Sequence, residues 1–377
     1  MKSVLFIMPS LPGGGAEKVL IEILRHIDYK QYNVTLFLEY KEGVYLQDVP
    51  DKVSIIALHG PNNLWFQRLH RRLVERGWYA PFHELVYRRM FLSLLRGKRY
   101  DTIISFMEGS AVKFHSYIFD KGKRNISWVH IDFQQKHWSL DFFRDAEDER
   151  QCYEKMDKII FVSNDPKTGF DSLFHLSAEK YAVHYNIIDA DRIRRLSQMC
   201  TAEQKNRFTI CMLGRLNTQK RHDRAISVAK TLKGLGYDFE LWIIGDGELR
   251  EALENQIFEA DLQDVVKLKG FINPPYSMLA QADIFLNTSE AEGFSLVVAE
   301  AFCLGIPVVS TNVSGPRELL GDSEYGIFTR QEEKDITIAV KTLMDNSLLR
   351  NHYSVMSMAR SQMFNDDASM SALYKLL

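Results

Sequence analysis

Short apolar runs alternate with stretches of helical periodicity along almost the whole chain. VLFIM (4–8) is followed by a glycine loop and then by AEKVLIEILRHI, whose apolar residues recur at helical spacing. VTLFLE (34–39), VSIIAL (53–58), TIISF (102–106), NISWVHI (125–131) and KIIFVS (158–163) have the length and β-branched content of further strands. Asp165 followed by Pro166 predicts a helix start, with Asp as the cap and Pro at the first helical position. Strand–helix alternation of this kind predicts a parallel sheet with helices on both faces.

Between about 189 and 207 the pattern lapses into polar sequence, DADRIRRLSQMCTAEQKNR, and then restarts. FTICML (208–213), FELWIIG (239–245), VVKLKGF (265–271) and DIFLN (283–287) read as strands. QKRHDRAISVAKTLKGLG and DGELREALENQIFEA read as helices, and Asn273-Pro274 as a helix start. The boundary therefore falls near 190–205. The predicted division is an N-terminal doubly wound domain over 1–190, a C-terminal one over 191–355, and a final helix over 356–377 placed to cross back to the first domain. Ligands in such sheets sit outside the carboxyl ends of the strands, so a cleft between the two halves is the expected site.

A length of 377 residues suits two domains, and 46% hydrophobic with 25% charged residues is a globular composition. A formal charge of -2 gives no whole-molecule attraction for nucleic acid. Cys152, Cys200, Cys211 and Cys303 are too irregularly spaced for a disulfide framework or a zinc site, so a reducing cytosol is expected. The apolar run Val4–Met8 is too short for an export signal, and no stretch approaches the roughly 20 apolar residues of a membrane span.

Four stretches carry candidate chemistry. Gly13-Gly14-Gly15 follows the first strand and opens a helix, where exposed amides favour an anion. A dinucleotide fingerprint would need a third glycine where Lys18 stands. In GRLNTQKR (214–221), Arg215 is placed at a strand end and Lys220 in the first helical turn; a planar fork and a point charge together suit a diphosphate. IIGDGELR (243–250) gives a backbone opening at Gly245. Glu292 and Glu300 bracket an apolar helix, and eight helical positions span roughly 12 Å. Paired glycosidase carboxylates lie about 5–9.5 Å apart, so two ends of one extended ligand fit the spacing better than a hydrolytic pair.

Together these stretches resemble glycosyltransferase family 4, retaining enzymes of the GT-B fold with a Glu-x7-Glu motif. The resemblance runs from Gly214 to Leu319 through GRLNTQKR, LWIIGDGELR, VKLKGFI, SMLAQADIFLNTSEAEGFSLVVAEAFCLGIPVV and SGPREL, and returns in PSLPGGGAEKV. Residues 40–125 match no motif. The resemblance implies two Rossmann-like doubly wound domains facing an interdomain cleft. It implies that Glu292 bonds donor-sugar hydroxyls, with the amides of Gly293, Phe294 and Ser295 nearby. The Leu296 amide would touch phosphate, and Glu300 would hold ribose hydroxyls. Arg215 and Lys220 would neutralise the leaving diphosphate, and Gly270 and Phe271 would lie by the base. Gly14 and Gly15 would approach the donor phosphates. His130 would stand close to the reacting sugar, its alternative being a histidine satisfied by Asp132. The family works without a metal, and DADR (189–192) lies outside any strand end, so neither metal nor cofactor is expected.

Residues 62–100 mix basic residues (Arg68, Arg71, Arg72, Arg76, Arg88, Arg89, Arg96, Lys98, Arg99) with aromatics (Trp65, Phe66, Trp78, Tyr79, Phe82, Tyr87, Phe91). Such a segment resembles one that lies on an anionic bilayer, while the alternative packs the aromatics inward beneath a solvated basic face. The expected protein is a cytoplasmic glycosyltransferase, peripheral at the inner membrane face. It takes a nucleotide sugar, with UDP as the expected nucleotide, and a lipid-linked saccharide acceptor in surface-polysaccharide assembly. A sugar-nucleotide epimerase or hydrolase of the same fold, a nicotinamide-dependent oxidoreductase and a non-catalytic subunit are the rival readings.

Overall fold

The computed structural model describes residues 1–60, 69, 72, 83–135, 137–199, 204–364 and 366–377. The chain divides into two compact units. Unit 1 comprises Met1–Ile187 and Asp366–Leu377, and unit 2 comprises Ile188–Asn365.

Unit 1 is built on seven parallel strands: β1 (Lys2–Met8), β2 (Tyr32–Tyr40), β3 (Ser54–His59), β4 (Tyr100–Ser105), β5 (Gly122–Val129), β6 (Lys158–Phe161) and β7 (Tyr181–Val183), in the order β3-β2-β1-β4-β5-β6-β7. The residues from Val4 to Met8 are fully buried, which is why the run reads as unbroken apolar sequence rather than alternation. The helix Asp366–Leu376 belongs to this unit. Tyr374 stacks on Tyr32 with ring centroids 5.4 Å apart, and its hydroxyl accepts from the Asp28 amide at 3.0 Å.

Unit 2 carries six parallel strands: β8 (Phe208–Leu213), β9 (Phe239–Ile244), β10 (Val266–Gly270), β11 (Ile284–Asn287), β12 (Val308–Thr311) and β13 (Ile327–Thr329), in the order β10-β9-β8-β11-β12-β13. In both sheets the strand order reverses once, between β1 and β4 and between β8 and β11. At such a switch point the connecting loops diverge and leave room for a ligand at the strands' carboxyl ends.

Several local expectations are corrected. Lys220 does not lie in an α-helix. It ends a 3-10 turn, Thr218–Lys220, and the helix begins two residues later at His222. Asn217 caps that turn, accepting from the Lys220 amide at 3.2 Å, and Arg221 takes a left-handed conformation (φ 51) that separates turn from helix. The helix near 165 runs Asn164–Phe174 and is preceded by Ser163, so Asp165 and Pro166 sit inside its first turn. Asn273-Pro274 is a cis peptide, and the short helix there starts at Tyr276. DADR is the start of a helix: Asp189 caps Ala190–Ser197 by accepting from the Arg192 amide at 2.7 Å.

Most of the basic aromatic segment, 61–68, 70, 71 and 73–82, lies outside the described residues. Within the remainder, Tyr87 and Phe91 are fully buried, Phe91 lying 4.6 Å from Phe37 between ring centroids. These two aromatics therefore serve the core of unit 1, while Arg88 and Arg89 stay exposed.

Candidate active site

In unit 2 two loops leave the sheet side by side at the switch point, 214–221 after β8 and 288–295 after β11. Backbone and side chain weld them together. The Glu290 amide donates to the Gln219 carbonyl at 2.8 Å, and Gln219 Nε2 donates to the Ala291 carbonyl at 2.8 Å. Lys220 Nζ donates to Glu292 Oε1 at 2.5 Å, with both side chains largely withdrawn from solvent. Arg215 stands exposed, and its guanidinium has no ion-pair partner among the described residues. Its carbonyl bonds Nε2 of His222 at 3.2 Å; burial pulls that imidazole down to about 4, so it stays neutral and acts as a strut.

Glycines make the strand ends bare. A Cβ on Gly245 would lie 1.9 Å from the Gly214 carbonyl oxygen, and the Gly245 amide donates to the Gly270 carbonyl at 2.8 Å. The ends of β8, β9 and β10 thus approach at backbone distance. Phe271, just beyond β10, is half exposed.

The second loop enters the helix Leu296–Cys303 through Ser295, a left-handed residue (φ 68, ψ 75). Glu300 lies inside that helix and is 2% exposed, whereas Glu292 lies in the loop before it. The spacing of roughly 12 Å assumed one continuous helix, and the loop removes that premise. The amides at the start of this helix carry its positive dipole end. Gly315 lets the loop pack: a Cβ there would lie 2.5 Å from Phe294 backbone atoms, and its amide donates to the Glu292 carbonyl at 3.3 Å.

Beneath Glu292 runs a buried polar chain. Ser289 Oγ lies 2.7 Å from Glu292 Oε1 and 2.8 Å from Asn287 Oδ1; Asn287 Nδ2 donates to Ser310 Oγ at 3.0 Å; Thr311 Oγ1 donates to the Ser289 carbonyl at 2.6 Å.

In unit 1, Gly14 and Gly15 lead from β1 into the helix Gly15–His26, with Glu17 packed against the space beside Gly14. His130 follows β5 directly. Its ring lies against Phe106 with centroids 5.0 Å apart, and burial pulls it down to about 3, so it is neutral. Its Nε2 is buried with no partner among the described residues. Asp132 is not what holds it: that carboxylate accepts from the Gln134 amide at 3.0 Å and from Gln135 Nε2 at 3.1 Å. The residue fixing the turn is Glu108, 1% exposed. Its Oε1 accepts from the amides of His130 and, at 3.0 Å, Ile131. Burial pushes this carboxyl up to about 7, with the charge of Glu149 adding to the rise.

The sequence matches the domain described as Glycosyl transferases group 1 over residues 198–357 and the one described as Glycosyltransferase Family 4 over residues 13–192. The chain belongs to glycosyltransferase family 4. Among the relatives of this glycosyltransferase is the N-acetylgalactosamine-N,N'-diacetylbacillosaminyl-diphospho-undecaprenol 4-alpha-N-acetylgalactosaminyltransferase of Campylobacter jejuni. It is 33% identical over 215 residues, 56% of this chain and 58% of that one, so the chain spans little more than half of that relative. An uncharacterized glycosyltransferase of Haemophilus influenzae is 25% identical over 365 residues, 96% of this chain and 94% of that protein. The crystal structure of Anabaena Alr3699/HepE in complex with UDP and glucose superposes with a TM-score of 0.77 at 20% identity, covering 100% of this chain and 99% of that one. That likeness establishes the GT-B fold.

The sequence-predicted residues gather by unit. Arg215, Lys220, Glu292, Gly293, Phe294, Ser295, Leu296 and Glu300 occupy the β8/β11 loops and the helix they open. Gly245, Gly270 and Phe271 lie at the neighbouring strand ends. Gly14, Gly15 and His130 follow β1 and β5 in unit 1. Sequence reasoning missed Glu108, Asn287 and Ser289. The only signal for them was position, each lying at or just after the carboxyl end of a strand that borders a switch point.

Proposed function

We propose that this family 4 glycosyltransferase moves a sugar from a UDP-sugar to a lipid-linked saccharide during surface-polysaccharide assembly, with retention at the anomeric carbon and without a metal. The observation that carries the reading is the exposed Arg215, without an ion-pair partner among the described residues, on the same loop as the Lys220–Glu292 pair at the switch point of unit 2. In this reading Arg215 and Lys220 neutralise the diphosphate as it leaves, which is the main electrostatic contribution to the transition state. Glu292 accepts from donor-sugar hydroxyls, helped by the amides of Gly293, Phe294 and Ser295, and Leu296 N–H meets phosphate. Glu300 holds the ribose hydroxyls, and Gly245, Gly270 and Phe271 border the nucleotide. Gly14 and Gly15 approach the phosphates, and neutral His130 stands close to the reacting sugar. The UDP complex of Alr3699/HepE and the diphospho-undecaprenol in the Campylobacter enzyme's name support the donor and acceptor classes.

The transfer forms the acceptor O–C1 bond as the C1–O bond to the diphosphate breaks. The acceptor hydroxyl's proton passes to the departing phosphate on the same face. In this reading the enzyme works at the inner face of the membrane through the basic segment 62–100, whose Arg88 and Arg89 are exposed. Among the described residues no helix is long and apolar enough to cross a bilayer.

Incubation with UDP-sugars and a saccharide-diphospholipid tests the reading. UDP release that requires the acceptor, with an α-linked product from an α-linked donor, is expected. Acceptor-independent release would mark a hydrolase, and a β-linked product would end the retaining mechanism. Flotation with anionic liposomes at moderate salt tests the membrane contact, absence of binding removing it.

A further inference from the structure

The two oxygens of Glu292 are not equivalent. Oε1 carries every internal bond this carboxylate makes, from Lys220 Nζ at 2.5 Å and with Ser289 Oγ at 2.7 Å. Oε2 has no partner among the described residues. Ser289 is fully buried, and Asn287 and Ser310 behind it are 4% and 0% exposed, so none of them meets solvent or ligand. Ser289 carries one hydrogen and has two acceptors in reach, Glu292 Oε1 and Asn287 Oδ1. The charged carboxylate is the stronger acceptor and takes it.

We propose that Ser289 is a positioning residue for the donor sugar: by anchoring Oε1 against the pull of Lys220, it leaves Oε2 aimed and free to accept from a sugar hydroxyl. The inference rests on the sugar contact assigned to Glu292 above. Without Ser289, Lys220 alone orients the carboxylate. The cation then draws Glu292 toward the diphosphate position, and the sugar loses its acceptor while the nucleotide keeps its own contacts.

The experiment uses the full chain and, among UDP-glucose, UDP-galactose and their N-acetylated forms, the donor that wild type turns over fastest. Ser289→Ala is expected to lower kcat/KM for that donor about tenfold or more, the usual weight of a hydrogen bond to a charged group, with the Kd for UDP by calorimetry within about twofold. In a Glu292→Gln background the same change should cost less than about twofold, because paired residues are not additive. Asn287→Asp places a second carboxylate in competition for the single Ser289 hydrogen, and it should reproduce the loss for UDP-sugar with UDP binding retained. A Ser289→Ala enzyme with unchanged kcat/KM, beside an impaired but measurable Glu292→Gln enzyme, overturns the positioning role alone. So does a parallel loss of UDP binding and Tm in Ser289→Ala, which is the signature of a purely structural residue. An unimpaired Glu292→Gln enzyme overturns the sugar contact itself, and this inference with it.

Discussion

Replacing Glu108 by Gln separates the two consequences of burying a carboxyl under the His130 turn. In wild type, Glu108 ionises at about 7 when folded against 4.5 ordinarily, burial being the main cause. A raised carboxyl means that the unfolded chain releases its proton first. Stability is therefore greatest below pH 4.5 and is lost as pH climbs through 7. At about 1.4 kcal/mol per tenfold difference in proton affinity, the loss is about 3 kcal/mol by pH 8. The side-chain amide of the Glu108→Gln variant would keep an oxygen for the amides of His130 and Ile131 but place an NH2 where Oε2 is buried without a partner among the described residues. Protonated wild type already leaves one O–H unmet at that place, so the amide adds one further unmet N–H, which costs about 1–3 kcal/mol. The stability curves of the two proteins should therefore converge or cross: the variant is weaker at pH 5 and gains about 2.5 kcal/mol on wild type between pH 5 and pH 8. Urea unfolding at pH 5, 6, 7 and 8 reads this directly, since m-values of about 1–3 kcal/mol per M turn it into a relative midpoint shift of about 1 M or more. A difference between the two proteins that stays constant from pH 5 to 8 would show instead that Glu108 titrates alike in the folded and unfolded chain.

Two further predictions concern packing and acid. Gly245→Ala puts a methyl 1.9 Å from the Gly214 carbonyl at φ 147, so a loss of at least about 2 kcal/mol is expected, read as a Tm drop of about 4 °C or more by calorimetry. His115 is fully buried between Ser105 Oγ (3.2 Å) and Asn125 Oδ1 (3.0 Å), and burial lowers it to about 4. A depressed histidine contributes stability that is present above its unfolded value of 6.5 and lost as pH falls toward 4. The stability advantage of wild type over His115→Gln should shrink by about 3 kcal/mol between pH 7 and 4 in urea titrations.

The strands were legible because a parallel sheet buries both faces and leaves continuous apolar runs; β1 and β9 need nothing beyond their own sequence. The three-residue strands β7 and β13 were not, since three residues carry no period and exist only through pairing to β6 and β12. Lys220 was legible as a cation after β8 but not as the end of a 3-10 turn. That outcome depends on Asn217 closing the turn and on Arg221 adopting a left-handed backbone, and neither residue advertises it. Glu108 was invisible because its partners, the amides of His130 and Ile131, lie 22 and 23 residues away on the next strand's exit. Ser289 was hidden for the same kind of reason: the group beyond its Asn287 neighbour belongs to β12, brought alongside β11 only by the sheet. Local chemistry announces itself in sequence, whereas the groups that hold it in place are fixed by topology.

In the function proposed above, the β8/β11 loops of unit 2 grip the diphosphate of a nucleotide sugar. Calorimetric titration of UDP into wild type, Arg215→Ala, Lys220→Ala and the double variant tests it most directly. Each single change should weaken UDP at least about tenfold, as expected for a charge-assisted phosphate contact, and the double variant should bind more weakly than either. UDP affinity unchanged in all three variants, with their folds intact, would contradict the claim.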